Sequence, residues 1–427
     1  MKLIFLTPGS GETFYCENCL RDLELLRALR AAGHEAMMAP LYLPVPLTKD
    51  LGPPSPIFFG GLNVYLQQKS RFFRRTPRWL DHLLDWRPLL RLLGRFRHMT
   101  SANDLGETTL SMLDGAAGRQ KKELDRLVTW LAANHRPRVV FLSNALLAGM
   151  VGGLRRGLGG DVKIACFLQD EDEFLDALGP AHRGRAWEKI AALAEQINFF
   201  IPVSRYYAEY MAPRLRIPAG KLHVVHAGLA PEDYRPAEGP PDPPVLGFLS
   251  PLIPDKGLDV LAEAFIILRK DPRMSRLRLR AVGGGTAGHG DYIAAIRRRL
   301  QAAGVWGDVE LLPNLPPPQR REFLRGLSVL SVPMRRGEAA GLFLLEAMAS
   351  GVPAVQPRAG ACTEIIKASG GGLLCDSAEP QPLAAAIAKL LTDEPLRREL
   401  GDRGRAAVAE QFSARRAASR IAEIIQA

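Results

Sequence analysis

The sequence has no clean apolar stretch of about 18 residues, the least that a membrane-crossing helix requires. Its opening run, Met1 to Thr7, is too short for the apolar core of a secretory leader and is expected to be a buried strand. Cysteine is scarce: 5 in 427 residues, namely Cys16, Cys19, Cys166, Cys362 and Cys375. An odd number without a leader argues for a reducing compartment rather than a disulfide framework. Cys16 and Cys19 form a lone C-x-x-C. Zinc needs two more ligands at matching spacing, and no second pair follows. The 8 histidines show no H-E-x-x-H or similar metal-binding spacing. No internal repeat of fixed period is present.

What is present is ordinary for a soluble globular chain: 47% hydrophobic and 24% charged residues, enough for two or three cored domains. The formal net charge of +11 favours anionic partners such as nucleotides, phospholipid headgroups or nucleic acid. No nucleic-acid-binding motif accompanies it, so nucleic acid is not expected as a partner.

Apolar runs alternate with helical patterns along most of the chain. Runs at 2–7, 36–43, 139–143, 162–168 and 199–203 read as strands, and Val224 to Gly228 as one more strand end. They imply a doubly wound parallel sheet over residues 1–234. The Pro-rich stretch 235–244 reads as a linker. A second set follows over 245–400: strands at 245–249, 278–282, 309–312, 329–332 and 352–355, helices at 258–268, 292–303 and 383–391. Residues 401–427 are expected to be helical and to pack back on the first domain. The fold class is α/β: two Rossmann-like domains facing across a cleft. Residues 71–99 interrupt the alternation with a basic, aromatic and amphipathic pattern, in which Arg87, Arg91 and Arg95 recur every four residues. A helix packed on its own domain and one lying on an anionic lipid surface both fit.

The chemistry concentrates near Glu338 and Glu346. Glu338 lies in a glycine-containing loop, Gly341 precedes a helix start, and Glu346 follows inside that helix. Amides at a helix start favour a phosphate, and Gly341 lets backbone approach a ligand closely. Glu346 suits vicinal hydroxyls, and Glu338 a group beyond the phosphates. The order ribose, diphosphate, sugar describes a nucleotide-sugar. Upstream, Ser250-Pro251-Leu252-Ile253-Pro254-Asp255-Lys256-Gly257 places Lys256 at the start of another helix, where its ammonium can meet a diphosphate.

The segment from Glu338 to Glu346 resembles the E-x7-E signature of the family 4 glycosyltransferases. Ser250 to Gly257 resembles the family's G-R-L-x-x-E-K-G, with Pro251 in place of its arginine; Arg335 and Arg336 are candidates to compensate. Gly360 to Glu364 resembles the family's G-G-x-x-E, Val203-Ser204 its V-S, and Val225 to Leu229 its P-N-G-V-D, with Ala227 for asparagine. The resemblance implies a GT-B fold and retaining transfer from a nucleotide-diphosphate-sugar without a metal or other cofactor. It implies that Lys256, Gly341 and Leu342 hold the diphosphate, Glu346 the ribose and Leu315 the base. Gly9, Ser10 and Gly11 match the family's glycine loop. Glu338 is implied to act on the donor sugar. Gln169 stands where relatives often carry a histidine; it cannot transfer a proton.

The acceptor, whether glycan, lipid-linked or small molecule, is not legible. The implied setting is glycan biosynthesis in the cytoplasm, with peripheral contact at the inner face of the membrane through residues 71–99 left open. Two alternatives stand beside this. One is a nucleotide-sugar-binding protein with attenuated or no transfer, which Pro251, Ala227 and Gln169 suggest. The other is a metal-dependent GT-A enzyme, which the D-x-D of Asp170 and Asp172 suggests.

Overall fold

The computed structural model describes residues 1–9, 17–42, 56, 58–59, 64, 67–68, 102–284 and 289–426. The amphipathic stretch 71–99, Ser10, Gly11 and Cys16 lie outside them. Two parallel sheets form the frame. The first contains β1 (Lys2–Thr7), β2 (Glu35–Pro40), β3 (Val139–Leu142), β4 (Lys163–Leu168) and β5 (Phe199–Pro202), in the order β2-β1-β3-β4-β5. The second contains β6 (Val245–Leu249), β7 (Arg278–Val282), β8 (Val309–Leu312), β9 (Val329–Leu330), β10 (Ala354–Pro357) and β11 (Gly372–Cys375), in the order β11-β10-β9-β6-β7-β8. Every pairing is parallel.

The strands read as unbroken apolar runs because helices cover both faces. Phe5, Phe141 and Phe167 stack side by side on one face of the first sheet, with Phe5 and Phe141 centroids 4.5 Å apart. That face is covered by Leu25, Leu26 and Leu29 of the helix Glu17–Ala31. Val224 to Gly228 is not a strand. The chain bridges β5 between Phe200 and Leu222, donates from His223 N and Val225 N to Phe200 O and Pro202 O at 2.9 and 3.1 Å, and then runs on extended. Among the described residues no helix is long and apolar enough to cross a membrane.

The chain passes between the domains twice. The linker carries it into the second domain, and the turn after the helix Glu394–Glu410 carries it back. The last helix, Ala414–Gln426, lies on the helix Glu17–Ala31 through Ala418, Ile421, Ile424 and Ile425. The two passages meet: Leu229 N donates to Phe412 O at 3.0 Å, and Ala414 N to Leu229 O at 2.7 Å. The order reverses beside β1 in one sheet and beside β6 in the other, so each sheet opens a crevice at its carboxyl ends. The segments following β1, β4, β6 and β9 converge there.

Candidate active site

Glu338 is set by its loop. Gly360, at φ 55°, lies so close to Glu338 that a Cβ there would sit 2.3 Å from the Glu338 nitrogen. The Ala361 amide donates to the Glu338 carbonyl at 2.8 Å. Gly341, at φ 69°, then turns the chain into the helix Leu342–Ala349; that left-handed conformation suits glycine. The Glu338 side chain is 4% exposed, and its Oε2 accepts from Lys256 Nζ at 3.1 Å.

Lys256 ends the short turn Pro254–Lys256 after β6 and is buried. It reaches across to the first domain, donating to Glu173 Oε1 at 2.8 Å. Burial opposes its charge, but Glu338, Glu173 and Asp170 outweigh burial and hold the ammonium above its ordinary range. Arg335 and Arg336 do not join it. Arg335 pairs with Asp259 and the Pro254 carbonyl, and Arg336 with Asp255. The positive charge lost at Pro251 is therefore not restored by either of them.

Two more carboxylates close on this point. Asp170, after β4, adopts φ 63°, a left-handed conformation uncommon outside glycine and often found at functional sites. Glu17 lies in the first turn of the helix Glu17–Ala31. One carboxylate oxygen each from Glu17, Asp170 and Glu338 lies within 4.8 Å of the others. Burial raises the Asp170 carboxyl well above its usual range, and Glu338, Glu173 and Glu17 add to it against the pull of Lys256. The D-x-D is split: Asp172 takes a 2.7 Å bond from Tyr207 OH instead of facing Asp170's partners.

Gln169 is fully buried at the end of β4. Its Oε1 accepts from Arg21 Nη1 at 2.8 Å, while its Nε2 has no hydrogen-bond partner. Arg21 lies flat on Phe167, 4.2 Å from the ring centroid, and also binds Asp22, Asn18 and Ser143. The polarity of the Gln169 amide is thus fixed from behind.

Glu346, expected on the ribose, is 0% exposed. Its Oε1 accepts from Tyr234 OH at 2.9 Å and from Arg320 Nε at 2.8 Å. Leu315 is partly buried and packs on the second core. Gly9 follows β1 with φ 76°; the rest of its loop lies outside the described residues. Cys19 is buried.

Three stretches singled out in the sequence meet across the domains. Ser204 caps the helix Arg205–Leu215, its Oγ accepting from Tyr207 N at 3.1 Å. Glu364, from the helix Gly360–Ser369 of the second domain, accepts from the Arg205 and Tyr206 amides at the same helix start, and its Oε2 lies 3.2 Å from His226 Nε2. Burial works against the Glu364 charge, but His226 and the two amides outweigh it and hold the carboxyl below its ordinary range.

Sequence reasoning passed over Glu17, Arg21, Tyr234 and Arg320. An acidic residue in a first helical turn reads as dipole compensation, and nothing in the spacing tells that Glu17 meets Asp170 and Glu338.

The comparisons with known proteins agree with this geometry. Residues 231–407 match the family model described as "Glycosyl transferases group 1". The chain is 34% identical over 203 residues to a D-inositol 3-phosphate glycosyltransferase of Acidothermus cellulolyticus, a stretch covering 45% of each chain. It is 30% identical over 311 residues to the GDP-mannose-dependent alpha-(1-6)-phosphatidylinositol monomannoside mannosyltransferase of Mycolicibacterium smegmatis, covering 69% of this chain and 78% of that one. Among solved structures, Anabaena HepE in complex with UDP and glucose superposes with a TM-score of 0.72 over 100% of both chains at 16% identity. The two facing doubly wound domains are those of a GT-B protein. The chain belongs to the group 1 glycosyltransferases.

Proposed function

We propose that this chain transfers a sugar from a nucleotide-diphosphate-sugar to an acceptor hydroxyl, with retention of anomeric configuration. The observation that supports this most directly is the convergence of Lys256, Glu338 and the start of the helix Leu342–Ala349 opposite the carboxyl end of β4. In this reading the Leu342 amide and the backbone near Gly341 take the diphosphate, since a helix start favours an anion. Lys256 supplies the compact positive charge. Glu338 meets the donor sugar, and the unpartnered Nε2 of Gln169 donates to it from the facing domain. Gly9, Ser10 and Gly11 complete that side, and backbone near Leu315 meets the base. Gln169 carries no proton, so attack proceeds on the face of the leaving diphosphate, whose oxygen takes the acceptor's proton. Positioning and fixed charge then supply the rate. No metal enters this reading. The relatives' names and the UDP held by HepE support a nucleotide-sugar donor.

Titration calorimetry with UDP-, GDP- and ADP-sugars, with and without EDTA, tests it. Binding of one donor unaffected by EDTA is the expected result. Loss of binding in EDTA refutes metal independence, and no binding at all refutes the donor site. A second reading, donor binding without transfer, draws on Pro251 and on the engagement of Arg335 and Arg336 elsewhere. Slow release of sugar to water from a bound donor rules it out.

A further inference from the structure

The first domain holds a buried ion pair, Arg21 with Asp22, that the proposed chemistry leaves unused. Arg21 gives Nε and Nη2 to Asp22 Oδ1 at 3.0 and 2.6 Å, Nη2 to the Ser143 carbonyl at 2.7 Å and Nη1 to Gln169 Oε1 at 2.8 Å. Phe167 covers one face of the guanidinium. A buried ion pair is a weak source of stability, because desolvation offsets the attraction. This pair has a second effect: it aims an amide. A guanidinium carries donors only, so Gln169 can meet it with Oε1 and not with Nε2. Held by Asp22, Ser143 and Phe167, the guanidinium cannot swing aside to let that amide turn over. The Nε2 left over is buried and has no partner. An unpaired buried donor is costly and calls for a group that arrives from outside. Its place in the chain says from where. Gln169 follows β4 and precedes Asp170, whose carboxylate comes within 4.8 Å of that of Glu338 in the other domain.

We propose that Arg21 is a positioning residue for sugar transfer: it locks the Gln169 amide with Nε2 as a fixed donor, and so makes the site select a donor sugar that offers a hydroxyl oxygen there. This rests on the donor-site reading. Arg21 itself touches no substrate. Its charge draws electron density towards Oε1, which strengthens the N–H of the same amide as a donor. Asp22 balances that charge, so the amide is aimed without adding net charge to the site. A sugar lacking the hydroxyl leaves Nε2 unpaired in a dry place. Sites built on a hydrogen bond reject such analogues far more strongly than an apolar pocket rejects a missing methylene. The ligand class is therefore a hexose nucleotide with that hydroxyl free, and the corresponding deoxy-sugar is discriminated against.

The test is titration calorimetry with UDP, GDP, UDP-glucose and GDP-mannose. It compares wild type with Gln169→Met and with Arg21→Met/Asp22→Asn, which removes the ion pair as a unit. Both variants are expected to lose about tenfold in the affinity for a sugar nucleotide relative to its nucleoside diphosphate, with the affinity for UDP or GDP alone unchanged. General damage to the fold lowers both affinities together and leaves their ratio where it was. Arg21→Lys keeps a cation for Asp22 and so guards the fold, but it lacks the fork; it is expected to move the ratio in the same direction. Wild type is also titrated with the monodeoxy forms of the sugar nucleotide it binds. One of them is expected to bind about tenfold more weakly than the parent, and Gln169→Met is expected to abolish that difference. A ratio unchanged in the folded Arg21 variants overturns the proposal, and so does a wild type that binds every deoxy form as well as the parent. If wild type binds neither the nucleoside diphosphates nor the sugar nucleotides, the donor-site reading itself fails.

Discussion

Replacing Glu346 by glutamine separates two roles for the second glutamate of the motif. The carboxylate is fully buried, and its Oε1 receives both Arg320 and Tyr234. Arg320 is itself only 6% exposed, so a neutral residue at 346 takes the Glu346 charge away from a buried guanidinium. Breaking a buried pair from one side costs about 3–5 kcal/mol. Glutamine keeps one acceptor oxygen, which places the loss near the lower end, about 3 kcal/mol. For a domain of this size that lowers the melting temperature by roughly 6–12 °C. Tyr234→Phe removes one bond to a charged group and costs about 1.5–3 kcal/mol. Thermal unfolding followed by circular dichroism, beside calorimetric titration of a sugar nucleotide, reads both effects. A Glu346→Gln protein that melts within 2 °C of wild type (about 1 kcal/mol or less) but binds the nucleotide tenfold more weakly refutes the argument and returns Glu346 to the ribose.

Glu338→Gln is expected to abolish transfer while leaving the fold intact, since Lys256 keeps Glu173 as a counter-charge and Asp170 loses a like charge beside it; retained activity removes Glu338 from the chemistry. Lys256→Gln should weaken sugar-nucleotide binding by about thirtyfold, because the ammonium proposed to meet the diphosphate is lost; unchanged affinity in a titration contradicts that proposal. Glu171 is buried, and that burial pushes its carboxyl up to about 7, against the bonds from Ala145 and Tyr207. Between about pH 4.5 and 7 the native state therefore holds a proton that the unfolded chain has lost. Stability falls with rising pH across that window by up to about 3 kcal/mol. Glu171→Gln, which can keep both contacts, should flatten the curve; urea unfolding at pH 5 and pH 8 decides. Glu364→Ala removes a cap supplied from the other domain, worth about 0.5–2 kcal/mol. X-ray scattering should show a larger radius of gyration for this variant, and an unchanged radius denies that Glu364 holds the domains together.

Most of the strands and the two-sheet architecture were legible because buried parallel strands leave contiguous apolar runs whatever they pair with; β11, Gly372–Cys375, was missed. Lys256 and Glu338 were legible for a similar reason, each following a strand at the start of a helix. The contacts that set the site's character were not. Arg21 reaches Gln169 over 148 positions of chain, and Glu17 meets Glu338 from the other domain. No periodicity records such a meeting. The compensation expected of Arg335 and Arg336 failed because aspartates a short way off in the fold, Asp259 and Asp255, engage them. Val224 to Gly228 carries the β-branched content of a strand, but the bridge to β5 falls before it, at Leu222, and a lone amide bond from Val225 to Pro202 does not make a ladder.

The two passages of chain between the domains are bonded to each other at Leu229, Phe412 and Ala414. Gly228 is pressed so close to Ser413 that a Cβ would stand 2.5 Å from its carbonyl carbon. A body joined to another along one flexible thread can wander in every direction. A body joined by two threads laid side by side and stitched together behaves like a door on a short pin. Sliding and twisting are suppressed, and one swing remains. Glu364, bonded to His226 where that ring packs on Phe412, tightens the pin itself, and so fixes the register in which the carboxyl ends of β4 and β6 face each other. Removing the chain after Glu410 would take away half of the pin together with the helix whose Ala418, Ile421, Ile424 and Ile425 complete the first domain's core, so alignment and core would be lost at one stroke.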